Sequence, residues 1–163
     1  MSKIILIGVN HAGTACANTI LANGDNSLTA FDSNSNISFL GCGMALWIGG
    51  IVKDPNMLFY SNEKLLEEKG AKIHMETPVI NIDFNNKIVY AQDKNGKKYE
   101  EKYDKLILST GSLPVLPDIP GKDLENVQQV KLYQDAKEVI EKLNDDSINK
   151  ITVLGAGYIG VEL

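Results

Sequence analysis

The sequence predicts an α/β fold, and three features predict it. Two short apolar runs, 3–7 and 150–154, each lead directly into a glycine-rich turn. Between them, residues 71–103 alternate apolar and polar positions. The chain has 163 residues, 44% apolar and 23% charged, which suits a packed domain with part of a second and argues against wholesale disorder.

Each element follows from its own stretch of sequence. Lys3–Ile7 is a compact apolar run ending at Gly8, as expected of a parallel strand buried on both faces. Residues 12–22 read as a helix with small residues towards that strand, stopped by Asn23-Gly24-Asp25. Ser27–Phe31 is a second strand ending at Asp32, which completes a βαβ unit. Residues 37–51 set Phe39, Leu40, Met44, Leu46 and Trp47 among four glycines, too many for an ordinary helix and too apolar for an exposed loop. Residues 62–69 form a short amphipathic helix closed by Gly70. From Ala71 to Tyr103 the period is two, with turns at Asn85-Asn86 and Lys94-Asn95-Gly96, so an antiparallel meander is expected. Residues 105–109 form another buried strand that runs into Thr110-Gly111-Ser112. Pro114, Pro117 and Pro120 then mark a linker, so the expected domains are 1–112 and 113–163. The second holds a helix at 135–143, a strand at 150–154 and a second glycine motif. Only three residues follow that motif, so the expectation is a fragment whose second unit is truncated.

Composition excludes several functions. Sixteen Lys and no Arg face 21 Asp and Glu, for a net charge of −5 and a pI near 5.0, which argues against nucleic acid as a partner. No apolar run is long enough to span a bilayer, and the N-terminal apolar stretch is too short for a signal peptide. A cytoplasmic protein with no membrane partner is expected. Cys16 and Cys42 form no C-x-x-C pair and no disulfide framework, and no metal ligands are assigned.

The glycine motifs carry the chemistry. In Gly155-Ala156-Gly157-Tyr158-Ile159-Gly160, the first glycine permits a tight turn, the second admits a pyrophosphate, and the third lets helix and strand approach. The alternative is a glycine-rich turn of another α/β protein. Gly8-Val9-Asn10-His11-Ala12-Gly13 is a degraded form with Asn10 at the middle glycine. It follows a strand, opens a helix and is followed by Asp32, placed to accept the hydroxyls of an adenosine ribose; the alternative for Asp32 is a solvated turn carboxylate or an Asx turn. Two such motifs suggest two Rossmann-like units and two dinucleotides, economically FAD and NAD. Cys42, flanked by Gly41 and Gly43, has an accessible sulfur; as a lone redox cysteine it would cycle between thiolate and sulfenic acid, and otherwise it is a buried structural thiol. Cys16 reads as structural. His11 opens the first helix as an acid/base candidate or a solvent-facing histidine, and His74 is assigned no role.

Four stretches together, 7–14, 37–47, 103–112 and 155–160, resemble the single-cysteine pyridine nucleotide-disulfide oxidoreductases along the whole chain. The likeness is greatest to their water-forming NADH oxidases, with NADH peroxidases and CoA-disulfide reductases as near relatives. The most specific stretch is Ser38-Phe39-Leu40-Gly41-Cys42-Gly43-Met44-Ala45-Leu46-Trp47. The resemblance implies a Rossmann-like FAD-binding domain with a β-meander, then the start of a Rossmann-like NAD-binding domain. It implies that Gly8, Val9, Asn10, His11, Ala12 and Gly13 cradle the FAD pyrophosphate, with Asp32 and Ser33 at the ribose and the Val79 backbone at the adenine. Cys42 would be the redox cysteine at the flavin and His11 the acid/base beside it. Thr110, Gly111 and Ser112 would pass near FAD, and Gly155, Gly157, Tyr158, Ile159, Gly160 and Glu162 would serve NADH.

The implied activity of the complete enzyme is NADH oxidation with O2 reduced to water through FAD and a Cys42 thiolate/sulfenic acid centre. The alternatives are a peroxide or CoA disulfide as oxidant, or a non-catalytic FAD-binding fragment, and the 163-residue chain is expected to be inactive alone. A homodimer or homotetramer is implied at full length. Two departures stand out: Asp32 replaces the usual, longer Glu, and Gly41 stands where Ser or Ala is expected.

Overall fold

The computed structural model describes residues 2–163 and divides the chain into two compact units. One unit runs to Phe39 and resumes over Tyr60–Gly111; the other comprises Leu40–Phe59 and Ser112–Leu163.

The first unit holds a four-stranded parallel sheet: β1 (Lys3–Ile7), β2 (Ser27–Phe31), β3 (Ala71–His74) and β7 (Lys105–Leu108), in the order β3-β2-β1-β7. Its helices are α1 (His11–Ala22) and α3 (Glu63–Glu67). The meander β4 (Val79–Asp83), β5 (Ile88–Gln92) and β6 (Lys98–Lys102) is antiparallel. Period two explains the packing, because successive residues of a strand point to opposite faces. On one face Ile4, Leu6, Leu28, Ala30 and Ile73 pack with Ala17 and Ile20 of α1 and Leu66 of α3. On the other, Ile5, Ile7 and Phe31 pack with Val89 and Ala91 of β5 and with Tyr103. Burying both faces of β1 requires its unbroken apolar sequence.

One strand departs from expectation. Period two predicts Ala71–His74 as the start of the meander, but it pairs in parallel with β2, Leu28 opposite Ala71 through Phe31 opposite His74. Its alternation is that of a sheet-edge strand: Ala71 and Ile73 are buried while Lys72 is exposed. The meander therefore begins at Val79.

In the second unit the glycine-rich stretch resolves into a 3-10 turn, Gly41–Gly43, followed by α2 (Met44–Ile48). A helix forms there, contrary to expectation, because the glycines flank it: Gly43 precedes it and Gly49 caps it. Trp47 of α2 stacks on Tyr133, the first residue of α4 (Tyr133–Leu143), with centroids 5.1 Å apart and planes at 8°. Phe59 meets the same ring edge-on. Residues 150–154, read as a strand, are not one. No strand among the described residues pairs with them, and Ile151, Val153 and Leu154 are exposed. The motif after them opens α5 (Tyr158–Glu162).

Candidate functional site

The first glycine turn is built by contacts with Ser109, just after β7 and about a hundred residues later in sequence. Gly8 has φ +91°, and a Cβ there would lie 2.2 Å from the Ser109 carbonyl oxygen. A Cβ on Gly13 would lie 2.0 Å from the Gly8 carbonyl oxygen, so helix and turn meet backbone to backbone. Two hydroxyls lock the turn. Thr14 Oγ1 donates to the Val9 carbonyl at 2.6 Å, and Ser109 Oγ to the Gly8 carbonyl at 2.6 Å. Neither hydroxyl carries a sequence signal beyond its place in stretches 7–14 and 103–112, because both belong to ordinary small polar residues.

This turn leaves the start of α1 open. Asn10 occupies the N-cap position but makes no side-chain capping bond, and the first turn carries no acidic residue. The backbone N–H groups there lack intrahelical acceptors and favour an anion. Asn10 Oδ1 is buried without a hydrogen-bond partner. A helix start with free N–H donors, walled by glycines, fits a dinucleotide pyrophosphate; the Asn10 amide oxygen, an acceptor, adds nothing towards an anion. His11 and Ala12 are exposed at this opening, whereas Val9 and Gly13 are buried.

Asp32 closes the next strand and is 6% exposed. Its Oδ2 accepts the Val9 N–H at 2.7 Å, while Oδ1 accepts the Asn34 N–H at 2.8 Å and Asn34 Nδ2 at 3.0 Å. The Asx turn weighed as an alternative is therefore formed. It coexists with a direct tie to the glycine turn; Oδ1 has both lone pairs engaged by Asn34, and Oδ2 keeps one free beside the Val9 N–H. Ser33, next to it, is exposed. Val79 opens β4 at an irregularity in the register with β5. Thr110, Gly111 and Ser112 are exposed beyond the end of β7, and Gly111 has φ +68° with nothing near its Cβ direction.

His11 has a partner that the sequence did not disclose. Its Nδ1 lies 3.2 Å from the Tyr60 hydroxyl, with the two rings stacked, centroids 5.7 Å apart and planes at 16°. Tyr60 carried no sequence signal because 49 residues separate the pair.

Cys42 lies in the second unit and is an exposed free thiol. A Cβ on Gly41 would meet nothing within 4 Å, whereas one on Gly43 would come within 2.4 Å of Leu58 Cδ2. The glycine before the thiol leaves it accessible; the one after it admits Leu58. Cys16 is a half-buried free thiol on α1.

The second motif repeats the geometry of the first. Gly155 has φ +111°, and a Cβ on Gly160 would lie 1.8 Å from the Gly155 carbonyl oxygen, the same five-residue relation as Gly8 and Gly13. Gly157 precedes α5, and Tyr158, Ile159 and Glu162 on that helix are exposed.

His74 has a displaced titration. Burial lowers its pKa from the ordinary value, helped by Lys72 and Lys97 and opposed by Glu101 and Glu67. It stacks on Phe31 at 4.9 Å and meets Tyr99 at 4.7 Å, and its buried Nε2 has no partner. Among the described residues no helix is long and apolar enough to cross a membrane.

A family profile described as pyridine nucleotide-disulphide oxidoreductase matches residues 2–163. The chain is 54% identical over 178 residues to a protein of Streptococcus pneumoniae (strain TIGR4) named NADH oxidase, covering all of this chain and 39% of that one. It is 46% identical over 162 residues to one of the same name from Lactococcus lactis, covering 99% and 36%. Among solved structures, a water-forming NADH oxidase from Lactobacillus brevis bound to NADH superposes with a TM-score of 0.93 at 41% identity, covering 99% of this chain and 36% of that one. Reduced CoADR-RHD from Bacillus anthracis gives 0.93 at 25% identity, covering 99% and 30%. The chain thus spans about two fifths of the curated relatives it matches.

Proposed function

The chain belongs to the pyridine nucleotide-disulphide oxidoreductase family, and from that premise we propose that it is the flavin-binding part of an NADH oxidase that reduces O2 to water. The observation that carries the reading is the exposed Cys42 thiol, opened by Gly41 at the start of α2. FAD, when bound, supplies two-electron transfer between NADH and the oxidant.

The protein's own residues have distinct tasks. The open start of α1, set by Gly8, Asn10 and Gly13, holds the FAD pyrophosphate through backbone N–H groups. Asp32 accepts one ribose hydroxyl with the lone pair left on Oδ2 beside the Val9 N–H. Ser33, the Val79 backbone and Thr110, Gly111 and Ser112 complete the flavin contacts, and Gly155, Gly157, Tyr158, Ile159, Gly160 and Glu162 serve NADH. Two electrons from a first NADH, with two protons, take O2 to hydrogen peroxide; Cys42, as thiolate, attacks one of its oxygens: an S–O bond forms, the O–O bond breaks, and the leaving oxygen takes a proton to become water. His11 is the acid that supplies the proton. Two electrons from a second NADH, with two protons, return the sulfenic acid to the thiol and release another water. The reading sets the protein in a reducing cytoplasm, which keeps a lone thiol free, and gives the full-length chain a second copy of itself as partner.

Cys42→Ser in the full-length protein tests this. The product of NADH-dependent O2 consumption should shift from water towards hydrogen peroxide, measured as peroxide formed per NADH consumed. An unchanged water yield overturns the role of Cys42. Faster NADH oxidation with added peroxide or CoA disulfide than with O2 would reassign the oxidant.

A further inference from the structure

We propose that Tyr60 is a positioning residue that sets the tautomer of His11, so that Nε2 carries the proton His11 delivers. The inference rests on the assignment of His11 as the acid, and its observations lie within the first unit. The Tyr60 hydroxyl is 3.2 Å from His11 Nδ1, and the stacked rings limit rotation of the imidazole. A neutral imidazole carries one proton and one lone pair, and which nitrogen holds each is set by the partner of the other. A phenol is a better donor than acceptor, because its oxygen lone pair delocalises into the ring. The favoured arrangement is therefore Tyr60 O–H donating to Nδ1, which leaves Nε2 protonated; when Nε2 gives up its proton, Nδ1 takes the Tyr60 proton and the exposed phenolate is reprotonated from water.

Tyr60 is 49% exposed, so side-chain packing alone does not hold it. Its backbone does. Ser38, fully buried, accepts the Tyr60 N–H at 3.2 Å and the Ser61 N–H at 2.9 Å through Oγ, and donates to the Ser61 carbonyl at 2.8 Å. Ser38 does this from a left-handed backbone, φ 61°, unusual for a side-chain-bearing residue. Immediately after Ser61, Asn62 Oδ1 caps α3 by accepting the Leu65 N–H at 3.0 Å. Tyr60 is thus flanked by two side-chain-to-backbone clamps, and its ring is delivered to His11 by a fixed main chain.

The test is 15N–1H long-range NMR of the His11 ring in the histidine-labelled full-length protein at a pH where the ring is neutral, with the signal assigned by its loss in His11→Gln. The wild-type ring should be Nε2-protonated. Tyr60→Phe keeps the stack and removes only the hydroxyl. It should raise the Nδ1-protonated population and lower kcat for NADH-dependent O2 consumption roughly tenfold, a fraction of what a positioned acid contributes, with KM for NADH unchanged. An Nδ1-protonated ring in the wild type overturns the proposal even if no variant folds. So does an unchanged tautomer, or an unchanged kcat, in Tyr60→Phe. If Cys42→Ser leaves the water yield unaltered, the oxidase reading fails while the tautomer measurement still decides the Tyr60–His11 relation.

Discussion

Removing the Ser38 hydroxyl is expected to cost more stability than its small size suggests. Ser38→Ala strands the Tyr60 and Ser61 N–H groups and the Ser61 carbonyl, which all meet one oxygen. A stranded buried polar group costs about 1–3 kcal/mol, and this half-buried segment lets water reach some of them, so about 2–3 kcal/mol in total follows. For a chain of this size each kcal/mol moves the thermal midpoint by about 2–4 °C, which gives a fall of about 4–12 °C. Ser38→Gly loses the same bonds but relieves a left-handed conformation that costs a side-chain-bearing residue about 1–2 kcal/mol. Partly offset by the entropy of glycine, it should melt above Ser38→Ala. Thermal unfolding followed by circular dichroism on both variants reads the difference. A Ser38→Ala midpoint within about 1 °C of wild type would refute the ledger, and Ser38→Gly melting below Ser38→Ala would refute the strain.

Other substitutions probe the remaining features. Gly13→Ala drives a methyl into the Gly8 carbonyl; overpacking against backbone should cost about 1–3 kcal/mol, and flavin retained on purification, read near 450 nm, should drop. Gly41→Ala meets open space and should leave the stability within about 0.5 kcal/mol of wild type, whereas Gly43→Ala pushes on Leu58 and should cost about 1 kcal/mol; equal effects in urea titrations would contradict this placement. His74 keeps its proton less readily folded than unfolded, because burial and then Lys72 lower its pKa. Its contribution to stability is fully present above the ordinary histidine value, about 6.5, and is lost as pH falls through the lowered folded value. Urea midpoints at pH 8 and pH 5 should therefore diverge more in wild type than in His74→Phe; parallel changes would count against it.

Much of this was legible in the chain itself because the informative patterns are local. The strands 3–7 and 27–31 announce themselves by apolar runs ended at Gly8 and Asp32, and doubly buried parallel strands need that composition. The Ala71–His74 strand misled because period two states that one face is buried but not which neighbour supplies the pairing. The 150–154 run misled for the converse reason: apolar β-branched residues favour a strand, but a strand exists only by pairing. The glycine turn and Asp32 were readable from spacing. The clasp of Ser38 on Tyr60 and of Tyr60 on His11 was not, since hydrogen bonds between residues 22 and 49 positions apart leave no periodic trace.

The order β3-β2-β1-β7 puts the earliest strand in the middle of its sheet. Its second neighbour emerges from the ribosome only when residue 108 does, and Ser109 then latches onto Gly8. During synthesis β1 therefore waits with one edge bare, a template for any stray strand. The Gly8 turn reaches its final shape only once Ser109 has been made, and nascent chains stalled before β7 are the ones that chaperones would have to shield.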